Sequence, residues 1–149
     1  MQTDGIIAKG QIIPVVFQQT DVAASQTDAA LNVTEVRDAA AAADDFNTCD
    51  GIVMPWDFEI VAISVRASTA RTAGTLTVEA LINTTATGLT AVLDATNTQS
   101  KQTRQARGSD RGKAGDLVAA RITTTAAWTP IAADIQVVVW VLTENLEGI

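Results

Sequence analysis

The stretch from residue 55 to residue 143 reads as a series of short strands separated by turns of small and polar residues. Over residues 75–82, apolar and polar side chains alternate, which predicts a strand with one buried face. Further strands are predicted over residues 58–65, 89–93, 101–107, 117–124 and 135–142. Short strands at roughly even spacing, with turn signals between them, are typical of an antiparallel sandwich or jelly roll.

We therefore predict an all-β fold, an antiparallel jelly-roll-like sandwich of about eight strands with an extended N-terminal arm. The composition agrees, because the apolar residues are mostly Ala, Val, Ile and Leu, and the β-branched residues fit a pleated surface. A chain of 149 residues fits one domain. We assign residues 1–50 to the arm and an acidic connecting segment, and residues 51–149 to the sandwich.

Residues 34–43 leave two interpretations open. Thr34 can serve as the N-cap of a helix that runs through five consecutive alanines. The alternative is an acidic loop with a short strand over residues 29–33. A helix of this length is marginal on its own, and the neighbouring elements are strands, which favours the loop.

The chain lacks the side chains that most enzymes depend on. It contains no His, no Tyr and a single cysteine, Cys49. Serine without histidine cannot form a hydrolytic triad, and one cysteine supports neither an internal disulfide nor a Cys/His metal site. The spacing of Asp44, Asp45 and Asp50 does not match a calcium-binding EF-hand loop, so we interpret them as a solvated acidic loop. We expect a protein without catalytic activity, metal or cofactor.

Charge is distributed unevenly along the chain. The net charge is −7, which argues against a partner made of nucleic acid. Half of the ten basic residues nevertheless lie within residues 101–113, a run without the aromatic residues that single-strand binders use. We expect Arg104, Arg107 and Arg111 to contact an acidic surface of a partner. The alternative is a mobile loop whose charges only aid solubility.

The first seventeen residues are apolar but poorly suited to a central strand, because Gly10 and Pro14 interrupt pairing. Their apolar side chains need a partner, so we predict an attachment arm that the sandwich does not require. The residues expected to bind this partner are Ile6, Ile7, Ile12, Ile13, Val15 and Phe17. The N-terminus lacks the layout of a signal peptide, and no apolar run reaches the ~20 residues of a membrane span, so we expect synthesis in the cytoplasm and no membrane partner.

Four runs of sequence carry a resemblance to a known class of protein. They are Ile-Val-Ala-Ile-Ser-Val at 60–65, Thr-Ala-Gly-Thr-Leu-Thr-Val-Glu at 72–79, Lys-Ala-Gly-Asp-Leu-Val-Ala-Ala at 113–120 and Ala-Asp-Ile-Gln-Val-Val-Val-Trp-Val at 133–141. Their order resembles the small jelly-roll modules of tailed-phage virion proteins, which include capsid decoration proteins, head fibres and tail-associated trimers. The resemblance implies a structural protein, made in the host cytoplasm, that binds the major capsid protein at the capsid surface.

We also expect a homotrimer, as such virion proteins commonly are. Residues 58–65 and 135–142 are apolar on both faces, which is more than one thin sandwich needs. The alternative function is a receptor-binding or carbohydrate-binding module of a head or tail fibre, with Trp56 and Trp128 at the ligand face. Trp140 lies inside an apolar strand, which predicts a place in the core.

Overall fold

The structure is a computed structural model that describes residues 10–33, 37–38 and 51–143. These residues form eleven strands and two sheets. The strands are β1 (Ile12–Thr20), β2 (Ala29–Ala30), β3 (Arg37–Asp38), β4 (Gly51–Val53), β5 (Phe58–Ala67), β6 (Leu76–Ile82), β7 (Thr85–Leu93), β8 (Ser100–Arg104), β9 (Asp110–Gly112), β10 (Leu117–Thr124) and β11 (Ile135–Thr143).

The two sheets pack face to face as a β-sandwich, which confirms the predicted all-β class. The first sheet has the order β3-β1-β11-β5-β8, and β9 also pairs with β5. The second has the order β2-β10-β6-β7, and β4 also pairs with β10. Neighbouring strands are antiparallel except β1 and β3, which are parallel. The specific connectivity of a jelly roll stays a prediction.

The core lies between the two sheets and is built from alternate residues of their long strands. In β6, Leu76, Val78 and Ala80 are fully buried, while the polar residues between them are half-buried on the other face. This is the pattern predicted over residues 75–82. Apolar side chains from β1, β5, β7, β10 and β11 complete the cluster, so both sheets contribute to one continuous core.

A β-bulge in β5 explains why this strand is apolar on both of its nominal faces. Trp140 of β11 is opposite Ala62, whereas the next residue, Val141, is opposite Ile60, so Val61 is an extra residue in β5. The extra residue shifts the alternation by one position, and both Ile60 and Ile63 face the core. The apolar pattern of residues 58–65 is therefore explained within one chain and gives no support to a trimer.

The N-terminal residues that the structure describes belong to the sandwich. β1 pairs with β11 over eight residues, and its Val15 and Phe17 are buried in the core. Residues 12–17 are therefore part of the sandwich and not an arm separate from it. β2 also belongs to the second sheet, so the sandwich begins well before residue 51.

Several predicted features fall outside the described residues. They are Ile6 and Ile7 of the predicted arm, the choice between helix and loop over residues 34–43, and the acidic group Asp44, Asp45 and Asp50. Within the described part of the chain, no helix has the length and apolar character needed to cross a bilayer.

We expect Phe17→Ala to destabilise the sandwich by ~3–5 kcal/mol, because it removes a large, fully buried side chain and leaves a cavity between the sheets. Gln18→Ala is the matched control, since Gln18 is the next residue of β1 and faces outward. Urea unfolding followed by circular dichroism gives the free energy of unfolding of each variant. Equal stability of the two variants would show that β1 is dispensable after all.

Candidate functional site

The candidate site lies on the outer face of the first sheet, which is the side away from the core. The register aligns β1, β11, β5 and β8 so that their outward side chains form cross-strand rows. The rows are Gln18, Gln136, Arg66 and Ser100; then Val16, Val138, Ser64 and Gln102; then Pro14, Trp140, Ala62 and Arg104. The outer face therefore changes from polar to largely apolar along the strands.

An open apolar concavity of about 510 Å³, here called the contact groove, lies at the apolar end of this face. Its lining consists of Ile12, Val61, Ala62, Ile63, Gln102, Arg104, Gln105, Arg107, Trp140 and Leu142. Ile12 is 61% exposed and Trp140 is 36% exposed, so two large apolar side chains face solvent here. An exposed apolar patch with a basic rim is typical of a surface that contacts another molecule.

A second concavity of about 590 Å³, here called the polar cleft, lies at the other end of the same face. Its lining consists of Ser64, Val65, Arg66, Asn97, Ser100, Lys101, Gln102, Gln136 and Val138. Amides, hydroxyls and cationic groups dominate this lining, which contains no carboxylate. The two concavities share Gln102, so together they form a continuous surface across the sheet.

Trp140 lies elsewhere than predicted, and Trp128 does not lie at the ligand face that the alternative function requires. Trp128 is 1% exposed and donates its indole N–H to the carbonyl oxygen of Val22 at 3.1 Å, so it cannot line a ligand face. Trp140, predicted in the core, lies on the outer face, where its indole N–H donates to the Ser64 hydroxyl at 3.4 Å. Trp56 is 37% exposed, as a surface residue would be.

Part of the positive charge of the basic segment over residues 101–113 is paired with acidic groups of the same chain. Glu59 is completely buried, and the Arg107 guanidinium forms an ion pair with its carboxylate. The backbone N–H of Gly108 donates to the other carboxylate oxygen at 2.8 Å, and Arg111 lies 3.8 Å from that oxygen. Gly108 has a φ of +82°, a left-handed conformation that favours glycine. Arg107 therefore has an acidic partner in its own chain.

Lys113, at the end of the basic segment, also meets acidic groups of its own chain. Its ammonium donates to Asp57 at 2.8 Å and, together with the Ala114 N–H, lowers the pKa of Asp57. The backbone N–H of Lys113 donates to Asp116 at 2.7 Å. This hydrogen bond, followed by one from the Asn83 amide, lowers the pKa of Asp116 from its ordinary value of 3.8.

Of the residues predicted to bind a partner, the structure brings Ile12, Arg104 and Arg107 together in the contact groove. Val15 and Phe17 are buried in the core, and Ile13 is half-buried in β1, so they are not part of this surface. Arg104 is exposed on β8 and forms no ion pair within the described ranges. Arg111 lies beside Glu59, at the margin of the groove.

The residues that the predictions missed are Trp140, Arg66, Gln102 and Gln136. The sequence held a signal for them, because Gln136 has the same strand parity as Trp140, and a glutamine in an apolar strand indicates the solvent face. Arg66 lies on the same face of β5 as Ala62, which is the outer face. The sequence did not show this, because the extra residue Val61 reverses the alternation of buried and exposed positions within the strand.

The outer face is equipped for contact and hydrogen bonding. Neither concavity is lined by a carboxylate, thiol or imidazole that could act as a general base. In the part of the chain that the structure describes, no group of three or more His, Cys, Asp or Glu residues is placed to hold a metal ion. The groups that line the two concavities are apolar side chains, amides, hydroxyls and cationic groups.

Comparison with protein-family models found no family that matches this chain, and comparison with curated proteins found no significant match.

We expect Arg107→Ala to destabilise the fold by ~1–3 kcal/mol, because it leaves the buried carboxylate of Glu59 without its closest cation. Arg104→Ala is the matched control, since it removes an exposed arginine nearby that has no ion pair in the described structure and should cost less than ~0.5 kcal/mol. Chemical unfolding at neutral pH measures both values. A loss of the same size in both variants would mean that the Glu59 ion pair contributes nothing specific.

We expect Asp116→Asn to flatten the acid dependence of stability. Because folding lowers the pKa of Asp116, its carboxylate stabilises the folded chain above pH 3.8, and this contribution is lost as the pH falls through the lower folded-state pKa. Urea unfolding of both proteins at a series of pH values from neutral to below 3.8 measures the effect. Identical slopes in the two proteins would contradict the role given to Asp116.

Proposed function

We propose that this chain is a structural virion protein of a tailed phage, a capsid decoration (cement) protein without enzymatic activity. In this proposal it forms a homotrimer at the capsid surface, binds the major capsid protein and reinforces the contacts between capsid subunits. The resemblance of its strand and turn sequences to small jelly-roll virion modules supports the proposal. The lack of histidine in the chain supports a role that depends on contact.

The observation that carries the proposal is the contact groove. Ile12, Trp140 and Leu142 give it an apolar floor and walls, and Arg104 and Arg107 form its rim. Tryptophan and arginine are the residues that most often dominate the binding energy of protein interfaces. A second copy of a chain with a net charge of −7 offers an acidic surface to such a rim.

The alternative function is a receptor-binding or carbohydrate-binding module of a head or tail fibre. The polar cleft favours it, because a concave surface lined by amides and hydroxyls suits a hydrogen-bonding ligand. The groove and the cleft lie at opposite ends of one face and meet at Gln102, so the two functions differ in which end of the face is occupied.

We expect the purified protein at micromolar concentration to have a mass about three times the 15.6 kDa of one chain. Ile12→Asp should raise the concentration needed for assembly at least ~10-fold. The substitution places a charge in the apolar groove and removes apolar surface that the contact between subunits would bury. Light scattering coupled to gel filtration measures the mass over a dilution series.

Ile131→Asp is the matched control, because Ile131 is 63% exposed and Ile12 is 61% exposed, while Ile131 lies outside the groove. Both variants should keep the circular dichroism spectrum of the parent protein and differ in mass. Co-sedimentation with empty capsids of the same virus then tests attachment, which Ile12→Asp should weaken. A parent protein that stays monomeric, or that does not sediment with capsids, would contradict the proposed function.

A further inference from the structure

The polar cleft presents the guanidinium of an exposed arginine. Arg66 lies on β5, between Gln136 of β11 and Ser100 of β8 in the same cross-strand row. No carboxylate within the described ranges forms an ion pair with it. Arg66 and Asp134 both line an adjoining concavity, where the Asp134 carboxylate accepts a hydrogen bond from the backbone N–H of Asp21 at 3.2 Å. A guanidinium without an ion pair among the described residues, in a chain of net charge −7, favours an anionic ligand.

An exposed aromatic ring, that of Trp140, lies farther along the sheet from the cleft. Trp140 lies four residues beyond Gln136 on β11, which places it roughly 13 Å from the row of Arg66. Its hydrogen bond to the Ser64 hydroxyl at 3.4 Å ties the edge of the indole to β5, and its exposed surface faces the solvent. Such a ring offers an apolar platform for the C–H face of a sugar, with a polar edge beside it.

Besides the cationic Arg66 and Lys101, the lining of the polar cleft consists largely of groups that both donate and accept hydrogen bonds. Gln102, Gln136 and Asn97 each provide an amide that donates and accepts, and Ser64 and Ser100 provide hydroxyls. Hydroxyl groups of a saccharide have the same dual character, so they match this lining. Phosphate groups of a nucleic acid do not, because they need several cations along the backbone.

An extended peptide fits the cleft less well. The floor is formed by β11 and β5, whose backbone groups are already paired with a strand on each side. A peptide in the cleft could not add a strand to the sheet, which is the usual way in which a sheet binds an extended chain.

From these observations, and resting on the alternative function above, we propose that the polar cleft, together with Trp140 of the contact groove, binds a carboxylate-bearing saccharide. A sugar ring stacks on Trp140, Gln102 and Gln136 bind hydroxyls, and Arg66 forms a bidentate ion pair with the carboxylate. The site shares Trp140 and Gln102 with the contact groove, so a subunit contact that covers Trp140 competes with the saccharide.

The full-length protein labelled with ¹⁵N allows a direct test, because each tryptophan gives one indole N–H signal and Trp140→Phe identifies that of Trp140. Sialyllactose and tetragalacturonate are the carboxylated probes, and lactose and galactotetraose are their neutral counterparts. We expect the carboxylated probes to shift the Trp140 signal and to leave that of Trp56 unchanged. The affinity for the neutral probes should be at least ~10-fold lower.

Arg66→Gln should reduce the affinity for the carboxylated probes to that for the neutral ones. Arg71→Gln is the matched control, because it removes the same charge from a residue that lines neither concavity, and it should leave the affinity unchanged. If neither carboxylated probe shifts the Trp140 signal at about 10 mM, the cleft is not a saccharide site. Equal affinity for neutral probes, or an equal loss in both arginine variants, would overturn the role of Arg66.

Because Trp140 and Gln102 also line the contact groove, the titration is repeated on the Ile12→Asp variant, in which the trimer contact is weakened. Failure of the trimer would appear in the mass measurement, and the titration of the Ile12→Asp variant tests the saccharide site whether or not the trimer forms. Failure of the saccharide site would appear in the titration, with the mass unaffected.

Discussion

The bulge at Val61 is the constraint on which both faces of the first sheet depend. An extra residue in one strand leaves its neighbours with unpaired backbone groups. In this fold Gln105 supplies the missing partners, because its backbone N–H donates to the carbonyl of Val61 at 3.1 Å and its side-chain amide donates to that of Ile60 at 2.7 Å. The bulge lets Ile60 and Ile63 both enter the core, and it leaves Val61 and Ala62 in the contact groove.

The buried carboxylate of Glu59 determines how the loop between β8 and β9 is placed. A buried charge is costly unless cations and hydrogen-bond donors surround it, and here Arg107, Gly108 and Arg111 do so. The loop is thereby folded over the end of β5, beside the contact groove. Arg66 and Arg104 form no ion pair with the described residues, and they lie at opposite ends of the outer face.

The strands could be predicted from the sequence because each one depends on local alternation, as in Leu76, Val78 and Ala80 of β6. The exposure of Trp140 was missed because apolar residues occupy both parities of β11, and only Gln136 indicates which parity faces the solvent. Trp128 lies in a loop, and its burial depends on Val22, more than a hundred positions away along the chain. The ion pair between Glu59 and Arg107 is also non-local, so charge clustering alone suggested an external partner for Arg107. The candidate site was therefore only partly predictable, through Ile12, Arg104 and Arg107.

In each sheet, one edge of a long strand pairs with two short strands and not with one long strand. β8 and β9 share the edge of β5, and β2 and β4 share the edge of β10. Along β5 and β10, edges divided in this way offer no long row of free backbone groups to another chain, which is one way in which natural sheets avoid uncontrolled aggregation. Among the described strands β1 and β7 differ, because β1 pairs with β3 over only two residues and β7 pairs only with β6. Backbone pairing with another chain is therefore directed to the edges of β1 and β7 and away from those of β5 and β10.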